Sequence, residues 1–198
     1  MKEQRMKRLR IGLDVDGVLA DFITPYYELA RKHNPGVVFD DSTWHQGLTK
    51  EMESPIWDDI RKTGDFWLSL KPLPGANILT FSQYDHTLIF VTNRIPTESP
   101  KSVERQTAEW LQNYFGIEFP TVIVAGHWYD KKDMYELLRL DGYIDDKPET
   151  IERMYKKTNT YAYDQPWNRS VVGAKRVKTV NEYIETLENS VGEEIAKG

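Results

Sequence analysis

Short apolar runs that end in polar residues alternate with helical patterns along most of this chain, and this alternation constrains the fold more than any other feature. Such alternation is typical of a parallel sheet covered by helices on both faces. It predicts an α/β protein with a Rossmann-like, doubly wound parallel sheet. The predicted strands cover residues 9–13, 87–91, 121–125, 143–144 with their flanks, and 160–163, with a weaker sixth at 176–177.

Apolar residues at helical spacing predict helices between these strands. One helix should begin at Ser99-Pro100 and end at Gly116, and another should begin at Pro148. A short helix capped by Asp130 should carry Lys131 at its first position. The last predicted helix has an apolar stripe formed by Val180, Tyr183, Ile184, Leu187 and Val191.

The stretch from residue 22 to residue 75 breaks the alternation. It contains helix starts at Thr24-Pro25 and Ser54-Pro55 and several large aromatic residues, but no clear strand. We therefore expect an α/β core formed by residues 1–21 and 76–198. Residues 22–75 should form a small helical cap over the edge of the sheet.

Composition limits the classes of protein and of site. The net charge of −5 lacks the basic field of a protein that binds nucleic-acid polymers. The chain has no cysteine, so any metal must be bound by oxygen or imidazole. No apolar run approaches the roughly 20 residues of a membrane span. We expect a cytoplasmic protein with no membrane partner, and we leave open whether it forms a homodimer.

Polar residues at the carboxyl ends of the predicted strands are the candidate site, because ligands of open parallel sheets bind there. Asp14 and Asp16 follow the first strand, two residues apart, so on an extended chain they share a face. The other strand ends supply Thr92, Asn93 and Arg94, then Lys131 or Lys132 on the following helix, then Asp145 and Asp146.

Carboxylates clustered at one edge of a sheet repel one another, which indicates that a cation binds there. Two unit charges about 4 Å apart repel by roughly 4 kcal/mol at an effective dielectric near 20. Oxygen donors without sulfur favour Mg²⁺. Each motif also has a plainer interpretation when taken alone. Asp14 and Asp16 could be solvated loop acids, and Asp145-Asp146 could be a turn with a helix cap. Thr92 could cap the turn after its strand, and Lys131 could be a surface lysine.

Taken in order, DVDGVLAD, VTNR, the lysine of YDKKD and IDD resemble the four motifs of the haloacid-dehalogenase superfamily of phosphohydrolases. The resemblance covers most of the chain. More narrowly, DVDGVLADF, FWLSLKPLPGA and IDDKPE resemble the 5′(3′)-deoxyribonucleotidase group, which removes phosphate from nucleoside monophosphates. The chain departs from that group at Asn93-Arg94, where Ser-Pro is common.

The resemblance implies a role for each motif residue. Asp14 would be the nucleophile that forms an aspartyl-phosphate, and Asp16 would be the general acid and base. Thr92 and Lys131 would hold the phosphoryl oxygens. The metal ligands would be Asp14, the backbone carbonyl of Asp16, and Asp146, with Asp145 in support.

The resemblance also implies that Phe22 lines a pocket for the base of a nucleotide. Trp44 and Trp67 could stack on the base there, or they could belong to the core of the cap together with Trp57. Asn93 and Arg94 are further candidates for substrate binding, although an arginine at this place could equally form a surface salt bridge.

The predicted function is thus Mg²⁺-dependent hydrolysis of nucleoside 5′-monophosphates, with deoxyribonucleotides preferred. Two alternatives stay open from the sequence. One is a phosphatase of the same fold that acts on another small phosphate ester. The other is a phospho-accepting receiver module of a signalling pathway, although receivers place the acceptor aspartate on a later strand and lack a cap.

Overall fold

The computed structural model describes residues 8–39, 42–44, 47–76, 86–125 and 131–197. In chain order, its elements are β1 (Arg10–Leu13), β2 (Ala20–Asp21), α1 (Ile23–His33), α2 (Lys50–Lys62), α3 (Phe66–Ser69), β3 (Lys71–Pro72), β4 (Thr87–Thr92), α4 (Val103–Phe115), β5 (Thr121–Val124), α5 (Lys131–Leu137), β6 (Gly142–Asp145), α6 (Pro148–Met154), β7 (Thr160–Tyr163), a 3₁₀ turn (Pro166–Asn168), β8 (Lys175–Val177) and α7 (Val180–Lys197).

Six of these strands form the main sheet, in the order β5-β4-β1-β6-β7-β8. All neighbouring pairs are parallel. β4 and β6 lie on opposite sides of β1, so the carboxyl ends of these three central strands meet at one edge of the sheet. The predicted doubly wound α/β fold is confirmed, including the weaker sixth strand.

Side chains on the two faces of the sheet pack into two apolar layers. Phe90 of β4 belongs to the layer that includes α4 and α7, whereas Ile89 and Val91 belong to the layer that includes α5 and α6. This alternation follows from the two-residue period of a strand. The predicted apolar stripe of α7 is buried in the first layer. Within the part of the chain that the structure describes, no helix combines the length and apolar content needed to cross a bilayer.

Two helices do not begin where proline suggested. α4 begins after Ser102 rather than at Ser99-Pro100, and α2 begins after Thr49, so that Pro55 lies inside the helix. The hydroxyls of Thr49 and Ser102 each accept a backbone N–H of the first turn, at 3.4 and 3.3 Å. A side chain that satisfies such an N–H marks a helix start more directly than proline does.

Three other helix ends lie close to the expected residues. Gly116 ends α4 with a φ of 62°, the left-handed conformation that glycine adopts without steric cost. Pro148 is the first residue of α6, and Pro25 lies in the first turn of α1. Asp130 lies outside the described residues, so its capping of α5 stays a prediction.

A two-stranded stem joins the helical segment to the core. β2 and β3 pair in antiparallel fashion, with Ala20 opposite Pro72 and Asp21 opposite Lys71. The sequence predicts no strand here, because two residues are too few to give a pattern. Helices α1, α2 and α3 lie between the stem strands, and α1 packs on α2. The exact limits of the cap stay a prediction.

Candidate active site

The carboxyl ends of β1, β4 and β6 bring most of the predicted motif residues together. Asp14 directly follows β1, Thr92 ends β4, and Asp145 ends β6 with Asp146 next to it. Lys131, the first residue of α5, reaches the same place. All five side chains belong to buried residues. The four motifs therefore form a single cluster at the sheet edge.

Lys131 lies between two of the carboxylates. Its ammonium donates to Oδ2 of Asp14 and, at 2.8 Å, to Oδ2 of Asp145. Burial lowers the pKa of Lys131, but the two carboxylates raise it by more, so the amine stays charged. Lys132 instead pairs with Glu136 at 3.4 Å on the surface of α5. The structure thus distinguishes the two lysines, which the sequence could not: Lys131 reaches the carboxylates and Lys132 does not.

The carboxylates of the cluster outnumber its ammonium. Burial raises the pKa of Asp14 well above its usual range, and the nearby Asp145 and Asp146 raise it further against the opposing effect of Lys131. Burial, and then the Asp145 carboxylate, raise the pKa of Asp146 to about 7. Both shifts favour the protonated carboxyl, because burial and the neighbouring carboxylates make negative charge unfavourable here.

The donor set fits a hard divalent cation. Asp14, Asp145 and Asp146 each offer a carboxylate oxygen, and the three oxygens lie within 4.8 Å of one another. Both oxygens of Asp145 accept hydrogen bonds, from Lys131 and from the backbone N–H of Lys147 at 2.8 Å. Both oxygens of Asp14 likewise accept hydrogen bonds, from Lys131 and from the backbone N–H of Val15 at 2.7 Å, so Asp14 and Asp145 are held in the same way. Buried carboxylate oxygens of this kind are ligands that Mg²⁺ prefers.

Asp16 lies apart from this acidic cluster. Its Oδ2 accepts hydrogen bonds from the Thr92 hydroxyl at 3.2 Å and from Nε of Arg94 at 2.9 Å. Its Oδ1 accepts from Nη2 of Arg94 at 2.8 Å. β1 ends at Leu13 and the chain bends at Val15, so Asp14 and Asp16 do not lie on one extended strand as the sequence suggested. Their carboxylates line one cavity but have different partners.

That Arg94 contacts substrate stays a prediction, and the structure shows where its side chain lies. The arginine side chain is fully buried and pairs with Asp16. It does not line the cavity that Asp16, Thr92 and the exposed Asn93 line. The alternative of a salt bridge is closer, but the pair is buried on the arginine side rather than lying at the surface.

A cavity of about 560 Å³ opens over the cluster. This volume lies within the range typical of small-molecule sites. Among the predicted site residues, its lining includes Asp14, Asp16, Phe22, Trp44, Trp67, Thr92, Asn93, Lys131 and Asp146. The catalytic candidates and the cap aromatics therefore face one space.

Phe22 is the centre of an aromatic cluster in the cap. Its ring lies 5.9 Å from Trp44 and 5.8 Å from Trp67, measured between centroids. Trp57 stacks on it at 5.9 Å with an interplanar angle of 19°. Trp67 is only 2% exposed and donates from Nε1 to the carbonyl of Ile95 at 2.9 Å. Trp44 and Trp57 are half-buried, so they offer more ring surface to a ligand.

One face of α2 forms much of the cavity wall, and none of its residues is among the predicted site residues. Its members recur at spacings of three and four residues: Lys50, Glu53, Ser54, Trp57, Asp58 and Arg61. That spacing places side chains on one helical face and is readable in the sequence. The carboxylate of Glu53 accepts the hydroxyl of Tyr26 at 2.7 Å, which ties α2 to α1.

The segment QPWN after β7 supports the site from the far side. Trp167 lines the cavity and donates from Nε1 to Oδ2 of Asp146 at 3.0 Å. Asn168 donates to the backbone carbonyl of Asp146 at 2.7 Å, and Gln165 donates to the carbonyl of Gly17 at 2.8 Å. Its neighbours Asp164 and Arg169 do not line this cavity.

Comparison with known proteins places this arrangement in a family. The family model described as 5′ nucleotidase, deoxy (pyrimidine), cytosolic type C matches residues 7–189. A relative from Oceanobacillus iheyensis, named a "putative nucleotidase", is 25% identical over 89% of this chain and 98% of its own length.

The mitochondrial 5′(3′)-deoxyribonucleotidase of Mus musculus is 28% identical, over 72% of this chain and 66% of its own length. Among solved structures, a haloacid-dehalogenase-like family protein from Streptococcus pneumoniae has a TM-score of 0.58 at 14% identity. That match covers 92% of this chain and 98% of the other, and it shows the fold alone.

The family match spans nearly the whole chain, and the motif residues converge as the haloacid-dehalogenase resemblance implied. This chain therefore belongs to the 5′ nucleotidase, deoxy (pyrimidine), cytosolic type C family, and it is a phosphoric monoester hydrolase of the deoxyribonucleotidase type with a haloacid-dehalogenase-like fold.

Proposed function

We propose that this protein hydrolyses nucleoside 5′-monophosphates, preferring deoxyribonucleotides, in a Mg²⁺-dependent reaction through an aspartyl-phosphate. The observation that carries the proposal is the pair of carboxylates in one cavity with different partners. Asp14 is bound by Lys131 within the acidic cluster, whereas Asp16 is held by Thr92 and Arg94. These different surroundings support a division of roles in which Asp14 attacks phosphorus and Asp16 moves a proton.

In the first step, a carboxylate oxygen of Asp14 forms a bond to phosphorus. The bond from phosphorus to the ester oxygen breaks, and its electron pair stays on that oxygen. Asp16, in its protonated form, gives its proton to the leaving oxygen, so the nucleoside departs as an alcohol. Lys131 and Thr92 hold the phosphoryl oxygens and offset their charge.

In the second step, a water molecule attacks phosphorus while the Asp16 carboxylate takes its proton. The bond between phosphorus and the Asp14 oxygen breaks, which returns the Asp14 carboxylate and releases inorganic phosphate. Asp16 is then protonated again for the next cycle. The same residue therefore serves as acid and then as base.

The carboxylates of Asp14 and Asp146 and the backbone carbonyl of Asp16 would hold Mg²⁺, with Asp145 in support. When bound, the ion neutralises phosphate charge and aligns the phosphate with the nucleophile. Trp167 and Asn168 restrain Asp146 through its side chain and its backbone carbonyl. Such outer contacts orient the ligands of metal sites.

Substrate choice is expected to come from the cap, because the motif residues contact only the phosphate. Phe22, Trp44 and Trp57 supply aromatic surface on which a base can stack. Trp67 is nearly buried and serves mainly to pack the cap. An apolar wall beside the sugar disfavours a 2′-hydroxyl, but such walls discriminate by about 100-fold or less.

One alternative of the same fold is a phosphatase for another small phosphate ester. The charged face of α2, with Lys50 and Arg61, gives that alternative a physical basis, because a charged non-nucleotide substrate could bind there. A receiver-type signalling module is not supported, since the family match is to nucleotidases.

The test is phosphate release from ribo- and deoxyribonucleoside monophosphates and from sugar phosphates, with and without Mg²⁺. Fastest turnover is expected for deoxyribonucleotides, and Asp14→Asn should abolish it while the protein stays folded. Faster turnover of sugar phosphates would favour the alternative.

The proposed partner is a small nucleoside monophosphate. A cytoplasmic location stays a prediction and a homodimer stays open, and the mouse relative is by name mitochondrial.

A further inference from the structure

Arg94 forms a two-pronged ion pair with Asp16 beneath the cavity. Nε and Nη2 donate to different oxygens of the same carboxylate, at 2.9 and 2.8 Å. The Arg94 side chain is 0% exposed, whereas that of Asp16 is 21% exposed and borders the cavity. A guanidinium that binds both oxygens of a carboxylate fixes the plane of that carboxylate, which a single point charge does not.

Arg94 is itself anchored by contacts that do not involve Asp16. Its Nη1 donates to the hydroxyl of Thr107 on α4 at 2.9 Å. The guanidinium carbon lies 4.9 Å from the ring centroid of Trp67, a cap residue that is hydrogen-bonded to Ile95. The arginine is therefore a fixed support, and Asp16 is the partner that it orients.

The two oxygens of Asp16 are not equivalent. Oδ2 accepts from both Arg94 and the Thr92 hydroxyl, whereas in the described parts of the chain Oδ1 accepts only from Arg94. Each carboxylate oxygen has about two acceptor sites. Oδ1 therefore keeps one site for a proton.

We propose that Arg94 is a positioning residue that sets the orientation of Asp16 and makes Oδ1 the oxygen that exchanges the proton. This inference rests on the proposed function, in which Asp16 protonates the leaving group and then deprotonates water. Because Arg94 also lies against Trp67, the packing of the cap and the orientation of Asp16 depend on one shared contact.

The test compares substrates that differ in their need for a proton donor. A deoxyribonucleoside 5′-monophosphate releases a poor alkoxide leaving group, whereas 2,4-dinitrophenyl phosphate releases an anion that departs unprotonated. With Mg²⁺ present, Arg94→Gln should slow the first step on the nucleotide by about 100-fold. The initial burst of dinitrophenolate should change by less than about threefold. KM for the nucleotide should change by a similarly small factor.

Arg94→Lys and Thr107→Val keep the proposal testable if Arg94→Gln does not fold. Both should lower the rate on the nucleotide relative to the rate on 2,4-dinitrophenyl phosphate, by about 3- to 30-fold. Arg94→Lys weakens the two-pronged contact with Asp16, and Thr107→Val removes the hydroxyl that anchors Arg94. Arg105→Gln is the matched control, since Arg105 pairs with Glu109 on the exposed surface of the same helix. It should leave both rates unchanged, and thermal unfolding of each variant reports the fold.

Equal losses on both substrates in the folded variants would overturn the positioning role, and so would a rise in KM alone. Those results would leave the proposed function standing if the wild-type protein hydrolyses the nucleotide. A wild-type protein that releases no phosphate from any nucleotide with Mg²⁺ would instead refute the proposed function, and this inference with it.

Discussion

Replacing Gly17 with alanine tests the acidic cluster through a single methyl group. Gly17 has a φ of 79°, and a Cβ at this position would lie 2.1 Å from Oδ2 of Asp146. Non-bonded contacts to Cβ below 3.0 Å are essentially never seen. The Asp146 carboxylate must therefore retreat by about 1 Å, and displacements of that size can cost roughly 100-fold in rate. The hydrogen bond from Trp167 to the same oxygen would be lost or lengthened.

Gly116→Ala is the matched control. Gly116 also has a positive φ, of 62°, but a Cβ added there would meet no atom of its surroundings within 4 Å among the described residues. Both substitutions carry the left-handed backbone cost of roughly 1–2 kcal/mol. For a chain of this size, that cost lowers Tm by about 2–8 °C. Only Gly17→Ala should also weaken Mg²⁺ binding and slow turnover.

The assay combines Mg²⁺ titration by calorimetry, phosphate release and thermal unfolding. We expect Gly17→Ala to lose about 100-fold in turnover and to bind Mg²⁺ more weakly, while Gly116→Ala keeps both properties within about twofold. If Gly17→Ala matched Gly116→Ala in metal affinity and turnover, the Asp146 carboxylate would not need its present position, and the reasoning would be refuted.

Three further predictions concern the lysines, the acidic cluster and the cap. Lys131→Ala should lower turnover by at least about 100-fold, whereas Lys132→Ala should leave it nearly unchanged, because only Lys131 reaches the carboxylates; equal losses in phosphate release would contradict this. Native Asp146, with a pKa of about 7, holds a proton that the unfolded chain releases near pH 4. In EDTA, the Tm of the wild-type protein should therefore fall relative to that of Asp146→Asn as the pH rises from about 4 to 7. A rise in that Tm difference over the same range would refute the prediction. Trp44→Ala and Trp57→Ala should each slow nucleotide turnover by about 5- to 150-fold while sparing an aryl phosphate, since stacking contributes roughly 1–3 kcal/mol; equal losses on both substrates would assign these rings to the cap core.

The strands and their terminal residues could be predicted because the signals are local. Each buried strand is a short apolar run, and the polar residue that ends it marks the carboxyl edge of the sheet. Asp14, Thr92 and Asp145 are identified in this way, and the structure brings them together. Their convergence also follows from the parallel α/β pattern, which places such ends at one edge.

The starts of α2 and α4 were harder to predict than the strands, because proline and a capping side chain give competing signals near each start. Proline is favoured in a first turn, but it is also tolerated in the turn before a helix or, at a cost, inside one. Helix α2 begins after the capping hydroxyl of Thr49 rather than at Pro55, and α4 begins after that of Ser102 rather than at Pro100. Capping side chains are therefore the more informative signal.

The role of Arg94 could not be predicted from pattern. Its partner Asp16 is 78 positions away in the chain, and no periodicity links them. An arginine beside a predicted phosphate site also suggests contact with substrate. Only the burial of the Arg94 side chain, which the sequence does not give, indicates that it supports Asp16 instead. The sequence likewise favours the cap core for Trp57, because a single aromatic residue does not indicate which helical face is open.

The central position of β1 has a consequence for synthesis on the ribosome. Its two neighbours in the sheet begin at Thr87 and Gly142, so both are translated long after β1 itself. At about 5–20 residues per second, the second edge of β1 waits for roughly 6 to 26 seconds. During that time an apolar strand with free edges is prone to aggregate. The charged sequence MKEQRMKRLR, which leads into β1, is the kind of flank that keeps such a nascent segment dispersed until its partners emerge.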